Sequence, residues 1–175
     1  MDAAKRLLRA DMREVRRRIA ADPADRAARS ARIWARIVSS THLGADSHGS
    51  ATQRAQNRRV MLYDALPGEP DTQLWITWCR ARGVDVFTPE VDGPALRVMP
   101  GDVDPAILDV VVVPGLAFTA DGHRLGQGGG HFDRFLVRLG PHCLTIGVCF
   151  HEQLVADLPM LEHDVRVALV VTDTP

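Results

Sequence analysis

The chain has 175 residues, of which 46% are hydrophobic and 25% charged, and its net charge is only −1. Those values predict a globular domain with enough chain for a substantial core. No apolar run approaches the ~18 residues that would span a bilayer. Lys5, Arg6 and Arg9 interrupt the first apolar residues, so a secretion signal is not expected and a cytoplasmic location is.

The charge is unevenly placed. Residues 1–36 hold eleven Lys/Arg and five Asp/Glu, while the remainder holds ten and seventeen. A basic end on an acidic body fits either an anionic ligand at that end or a solvated helix face. Cys79, Cys143 and Cys149 have neither metal-knuckle nor redox spacing, and are expected to be buried thiols.

A first helix is expected from Asp2 to about Ala21, with Leu7, Leu8, Met12, Val15 and Ile19 on its apolar face. Lys5, Arg9, Arg13 and Arg16 occupy neighbouring positions around the cylinder. Asp22-Pro23 ends this helix and starts a second, about 24–39, which buries Ala28, Ile33, Trp34, Ile37 and Val38. Residues 40–58 have no apolar period and read as a mobile surface loop with two solvated histidines, His42 and His48.

Val60 to Tyr63 reads as a buried strand followed by a turn at Leu66-Pro67-Gly68. A helix from about Pro70 to Arg82 turns Leu74, Trp75, Trp78 and Cys79 inward and stops at Gly83. Val84 to Thr88 is a second strand, and 89–107 is loop-like apart from a short strand at Ala95–Met99. The aliphatic run from Ile107 to Val113 suits a central strand covered on both faces. A long Gly-rich loop spans 114–130, and a helix follows to about Leu139. Leu144–Phe150 is a strand, Glu152–Ala156 a short helix, and Val165–Val171 a last strand. Strands separated by helices predict a single α/β domain over 1–175, Rossmann-like, its largely parallel sheet flanked by helices on both faces.

One segment concentrates chemistry. The strand ending near Val113 delivers a loop containing Gly126, Gly128, Gly129 and Gly130, and a helix leaves from it. Glycines let backbone N–H groups approach an anion, and a helix start adds positive potential. Asp133 follows directly and suits Mg²⁺ held against that anion. No Lys-Ser/Thr follows the glycines, and His131 stands where a dinucleotide fingerprint needs its last Gly. From the residues alone, a phosphate cradle and a tight structural turn both remain open. So do a metal ligand and a simple helix-start carboxylate for Asp133.

Pro114-Gly-Leu-Ala-Phe118, Gly122-His-Arg124-Leu-Gly126-Gln-Gly128-Gly-Gly130 and Asp133-Arg134 together resemble the signature of the 5-formyltetrahydrofolate cyclo-ligase family. Lys5-Arg-Leu-Leu-Arg9 is similar to that family's amino-terminal Lys-x-x-Leu-Arg, and Glu69-Pro-Asp-Thr72 to its Glu-x-acidic-Thr. The resemblance implies that ATP, with Mg²⁺, phosphorylates the formyl oxygen of 5-formyltetrahydrofolate. Ring closure and loss of phosphate then give 5,10-methenyltetrahydrofolate.

It also implies roles for particular residues. Lys5 and Arg124 carry the catalytic positive charge. Lys5, Arg9, Arg124, Leu125, Gly126, Gln127, Gly128, Gly129, Gly130, His131 and Phe132 surround the nucleotide. Tyr63, Glu69, Gln127 and His131 face the folate, with Trp75 nearby, and Asp133 ligates Mg²⁺. The implied partner is a small reduced folate, with no nucleic acid and no membrane, and the protein is expected to be a monomer.

Four features depart from the family pattern. His131 and Phe132 replace two Tyr, Gln127 and Gly129 replace a basic loop residue, Ala168 replaces an Asp, and the 89–107 segment is short. They predict a thinner folate-side wall, one cation fewer on the loop and weaker metal binding. The competing expectation is a divergent relative that binds nucleotide or folate with little turnover.

Overall fold

The computed structural model describes residues 2–41, 58–160 and 164–174. The expected mobile loop, with His42 and His48, lies outside the described residues from 42 to 57, as does His163.

Helix α1 (Asp2–Ala20) and helix α2 (Pro23–Thr41) start the chain and touch each other. The Asp22 carboxylate accepts from Asp25 N at 3.0 Å, capping α2, and Pro23 sits in the first turn, where its missing N–H costs nothing. The inward stripe of α1 differs from the expected one. Leu7 is 67% exposed, whereas Lys5, Met12, Arg16 and Ile19 are buried. Those four recur at spacings of seven, four and three, so the basic stripe and the apolar stripe are one face.

Six strands form the main sheet: β1 (Arg59–Met61), β2 (Asp85–Asp92), β3 (Ala95–Met99), β4 (Val110–Pro114), β7 (Leu144–Val148) and β8 (Leu169–Val171). Their order is β3-β2-β1-β4-β7-β8, parallel throughout except for the β2–β3 hairpin. A separate two-stranded ribbon, β5 (Ala117–Phe118) and β6 (Arg124–Leu125), lies within the segment expected to be continuous loop.

Alternation along the strands divides the core. Val60, Val110, Val112, Ile146 and Val148 face α2 and helix α3 (Gln73–Arg80), where Ile33, Trp34, Ile37 and Trp75 pack. Met61, Val111 and Val113 face Phe118 and helix α4 (His131–Leu136), which contributes Phe135 and Leu136. Helices on both faces explain why β4 is aliphatic at consecutive positions. None of the described helices is long and apolar enough to cross a membrane. The thiols of Cys79 and Cys149 are buried and pushed up to about 12 chiefly by that burial, while Cys143 is half-buried and reaches about 11 for the same reason.

Several boundaries move. Helix α3 starts at Gln73 and turns Trp75, Ile76 and Cys79 inward, leaving Leu74 58% exposed. The segment read as loop from residue 89 is the outer half of β2. Beyond Phe87 this strand leaves β1 and pairs only with β3, so Pro89 removes no ladder bond on its open side. Helix α4 ends at Leu136 rather than Leu139, and the last strand begins only at Leu169. The expected helix at 152–156 is a single 3-10 turn, His151–Gln153.

Ala28 is exposed, and α2 instead buries Arg29 and Ser30. Arg29 Nε donates to Asp173 at 2.7 Å and Nη1 to Glu152 at 3.0 Å, and its guanidinium lies 4.6 Å from the Phe150 ring centroid. Asp173 also accepts from His151 N at 2.8 Å. This network ties α2 to the end of β8. Burial is the largest single effect on both Arg29 and Asp173 and opposes their ionisation, yet the hydrogen bonds and charges around them (Glu152 and Asp173 for Arg29, Arg29 and the His151 N–H for Asp173) together outweigh it, keeping the guanidinium protonated and the carboxylate below its ordinary range. The Arg29 hydrogen bond likewise lowers Glu152.

Arg29→Met is expected to cost about 3 kcal/mol in urea denaturation, because it leaves the buried Asp173 without its main cation, only the His151 N–H and the more distant Arg32 remaining. Both carboxylates titrate lower in the folded protein than unfolded. Their contribution is therefore complete above the ordinary values of 4.5 and 3.8 and is lost as pH falls through the lower folded values. The difference in stability between wild type and Arg29→Met should accordingly shrink below about pH 4.5.

Candidate functional site

The strand order reverses direction between β1 and β4, so the loops leaving these strands diverge to opposite sides. In open α/β sheets that divergence opens a crevice at the carboxyl ends. A cavity of about 400 Å³ lies there. Tyr63 and Asp64 enter it from the end of β1, and Pro114 and Gly115 from the end of β4. One wall is the glycine loop, Gly126 to Gly130, with His131, Phe132 and Asp133. Arg16, Leu66 and Glu69 also line it, as do Pro89, Val91 and Leu96 of the β2–β3 hairpin.

Three cation–carboxylate pairs ring this cavity. Lys5 Nζ donates to Asp164 at 2.6 Å, Arg16 Nη2 to Glu69 at 2.7 Å, and Arg124 Nη2 to Asp133 at 2.8 Å. The first two pairs are almost wholly buried, and Arg124 is too. The pairs join segments far apart in sequence, and each places one carboxylate on the cavity wall.

The glycine loop is held from below by α1. Arg9 Nε donates to Gly126 O at 3.1 Å and Arg13 Nη2 to Gln127 O at 3.4 Å. Arg134 closes it from the other side, donating to Gly129 O and to Pro94 O, both at 2.7 Å. With carbonyls taken by arginines, the backbone keeps its N–H groups for an incoming anion. Side chains would fill this cradle: a Cβ at Gly126, Gly129 or Gly130 would meet Arg124, His131 or Arg134 at 2.6–2.8 Å. Gly130 has φ 66°, the left-handed conformation that starts α4. Since α4 is only six residues long, its dipole would add little to anion binding, which would fall to loop N–H groups and the surrounding cations.

Most of the residues singled out from the sequence converge here. Tyr63, Glu69, Arg124, Gly126–Gly130, His131, Phe132 and Asp133 line the cavity, and Lys5 reaches it through Asp164. Leu125 lies behind the loop, buried against Met12, Leu116 and Leu158. The Tyr63 hydroxyl donates to Pro70 O at 2.8 Å, and burial pushes the phenol well above its usual range, so this residue offers the cavity a ring rather than a proton. His131 Nε2 lies 3.1 Å from Gly93 O, tying α4 to the tip of the hairpin. Trp75 lies in the core against Trp34 and Trp78 and not at the cavity.

Two of the family departures can be placed in the fold. The short 89–107 segment forms most of the β2–β3 hairpin, which lines the cavity with Pro89, Val91 and Leu96. Ala168 is exposed at the amino end of β8, its N–H donating to Thr145 O at 3.1 Å, whereas the cavity opens at the carboxyl ends of β1 and β4. Arg16, Asp64 and Asp164 were missed. For Arg16 the signal was present, since it continues the Lys5 and Arg9 stripe at helical spacing. Among the described residues no group of three His, Cys, Asp or Glu side chains is arranged to enclose a metal. A Mg²⁺ ion that shares its shell with phosphate and water needs only one or two carboxylates, and Asp133 fits that requirement.

Comparison with known proteins places this geometry in a family. The sequence model of the 5-formyltetrahydrofolate cyclo-ligase family matches residues 92–173. A probable 5-formyltetrahydrofolate cyclo-ligase of Caenorhabditis elegans is 35% identical over 150 residues, covering 66% of this chain and 73% of that protein. The mouse 5-formyltetrahydrofolate cyclo-ligase is 40% identical over 73 residues, which span 39% of this chain and 36% of the mouse protein's length. A solved 5,10-methenyltetrahydrofolate synthetase from Mycoplasma pneumoniae superposes with a TM-score of 0.79 over 99% of this chain and 100% of that one, at 21% identity, a likeness of fold.

The turn at Gly68 gives a direct test of how the site is held. Gly68 has φ 80°, and a Cβ there would lie 2.3 Å from Arg16 O. Gly68→Ala is therefore expected to destabilise the protein by about 2 kcal/mol or more in chemical denaturation, through left-handed strain and a clash with helix backbone.

Proposed function

This chain belongs to the 5-formyltetrahydrofolate cyclo-ligase family, and from that premise we propose that it converts 5-formyltetrahydrofolate to 5,10-methenyltetrahydrofolate, consuming ATP and releasing ADP and phosphate. The observation that carries the reading is that one cavity is lined both by the Gly126–Gly130 loop and by Tyr63 and Glu69. In this reading the two sets of residues hold the phosphoryl donor and the ring substrate in the same cavity. Phosphoryl transfer asks the protein for positioning and for positive charge around the transferring group, with little covalent chemistry of its own.

In this reading the γ-phosphoryl group passes to the formyl oxygen. The second folate nitrogen then attacks the activated formyl carbon, and phosphate leaves with the former formyl oxygen, closing the ring. Lys5, Arg9 and Arg124 carry the positive charge. Backbone N–H groups of Gly126, Gln127, Gly128, Gly129 and Gly130 hold the phosphates, with Leu125, His131 and Phe132 shaping the nucleotide side. Arg124 is oriented by Asp133 and lies 5.5 Å from the Phe132 ring centroid. Glu69, fixed by Arg16 and by Leu66 N at 3.0 Å, accepts hydrogen bonds from the pterin, and Tyr63, Gln127 and His131 complete the folate side. Asp133 would hold Mg²⁺, which supplies charge neutralisation on the phosphates. The substrate is a small reduced folate, and the reading places a monomer in the cytoplasm, with no nucleic acid or membrane partner.

An absorbance assay for the methenyl product tests the proposal, using 5-formyltetrahydrofolate, ATP and Mg²⁺. Product should require ATP and Mg²⁺. Asp133→Ala and Arg124→Met should each lower kcat by about 10²-fold or more, as removal of a transition-state stabiliser does elsewhere. Folded wild-type protein that yields no product would sink the proposal in favour of a relative that binds without turnover.

A further inference from the structure

The glycine loop and the β2–β3 hairpin are separate parts of the cavity lining, and one side chain holds both. The Arg134 guanidinium donates to Pro94 O through Nε at 2.9 Å and through Nη2 at 2.7 Å, and the same Nη2 donates to Gly129 O at 2.7 Å. Pro94 lies in the hairpin turn, and Gly129 in the loop. A guanidinium is planar, so its donors keep a fixed spacing and hold the two carbonyls at a set separation. Gly130 leaves the room for it, since a Cβ there would meet Arg134 Nη1 at 2.6 Å.

Two neighbours fasten the hairpin without making that link. His131 Nε2 lies 3.1 Å from Gly93 O, and Arg138 Nη1 donates to Leu96 O at 3.2 Å. Positions 131, 134 and 138 follow helical spacing, so α4 and the turn after it grip three hairpin carbonyls from one face. Among the described residues, Arg134 alone of the three side chains also donates to a glycine-loop carbonyl. The hairpin in turn brings Pro89, Val91 and Leu96 to the cavity. Apolar side chains offer nothing to a polyphosphate and suit a ring, whereas the glycine loop offers backbone N–H groups that suit phosphate.

We propose that Arg134 couples the binding of the two ligands. Nucleotide held on the Gly126–Gly130 loop fixes Gly129 O, and through the Arg134 guanidinium it fixes the hairpin against which the folate ring packs. This rests on the folate reading above, and it makes Arg134 a positioning residue that need touch neither ligand. Ordering a hairpin costs conformational entropy, so a folate that meets a hairpin already ordered by nucleotide binds more tightly. By linkage, the folate must raise nucleotide affinity by the same factor.

Calorimetry on the full chain tests this. 5-Formyltetrahydrofolate is titrated with and without Mg²⁺ and the β,γ-methylene analogue of ATP, which cannot transfer its terminal phosphoryl group. In wild type the analogue should raise folate affinity about fivefold or more, the lower end of coupling between sites. On its own it should also slow hydrogen exchange of the hairpin amides. Arg134→Met should bring the factor within about twofold of unity and abolish the slowing. Arg138→Met, which frees Leu96 O and leaves the glycine loop alone, should keep the factor even where it weakens the folate itself. Wild type that binds both ligands without coupling or without the slowing overturns the proposal. So does a factor unchanged in Arg134→Met, even with both affinities weakened, or one lost equally in Arg138→Met; each leaves Arg134 a plain support. If Arg134→Met does not fold, an unchanged factor in Arg134→Gln overturns it equally. Wild type that binds no folate fails the folate reading itself, a result distinct from binding without coupling.

Discussion

The site depends on the pairing of one helix's cations with acceptors at the carboxyl ends of the sheet. Helix α1 buries Lys5 and Arg16 as deeply as Met12 and Ile19. Taking a charge out of water costs several kcal/mol, and a buried pair rarely returns more than that cost. Two such pairs on one helix are therefore poor devices for stability alone. Their geometry has a different consequence. Lys5 meets Asp164, Arg9 meets the Gly126 carbonyl and Arg16 meets Glu69, so a single rigid element sets the position of three separate loops around one cavity.

The sheet supplies the place and the loops supply the chemistry. Reversal of strand order between β1 and β4 opens the crevice, and both flanking loops are shaped by glycine where a side chain would collide. At Gly68 the collision is with the α1 backbone, and at Gly126 it is with the Arg124 guanidinium. The close approach in each case brings a polar group to the cavity: Glu69 in the first, Arg124 in the second. Core packing beneath is ordinary, with aliphatic strand residues alternating between α2 and α3 on one face and α4 on the other.

The architecture was legible in the sequence because period and punctuation agreed. Aliphatic β4, the Asp22-Pro23 break and the stop at Gly83 all express local physics that tertiary contacts did not override. The hairpin was not legible, since Pro89 and Gly93-Pro94 look like loop residues until β3 is seen to pair with only one side of β2. Nor was the inner face of α1, because reading apolar and basic stripes separately turned Leu7 inward and left Arg16 outside the site. The partners were invisible for a more basic reason. Asp164 is 159 residues from Lys5, and no local pattern encodes a contact at that separation.

The same geometry recasts what the departures from the family pattern mean. A missing carboxylate at position 168 subtracts nothing from the cavity wall, since Ala168 stands at the opposite end of the strands from Asp133 and Asp164. A missing cation at Gln127 or Gly129 matters less than the loop sequence suggests, because Arg9, Arg13 and Arg134 approach from neighbouring elements and bind the loop's carbonyls. In the proposed reading, what the loop loses in side-chain charge it keeps in oriented backbone, whose N–H groups can hold phosphate without the entropy of placing a flexible side chain. His131 in turn meets the hairpin tip at Gly93 O, so the residue that stands where the family pattern has a Tyr also ties α4 to the hairpin that lines the cavity. The cavity is thus built from long-range tethers, and its chemistry is set by which charged groups those tethers leave facing inward.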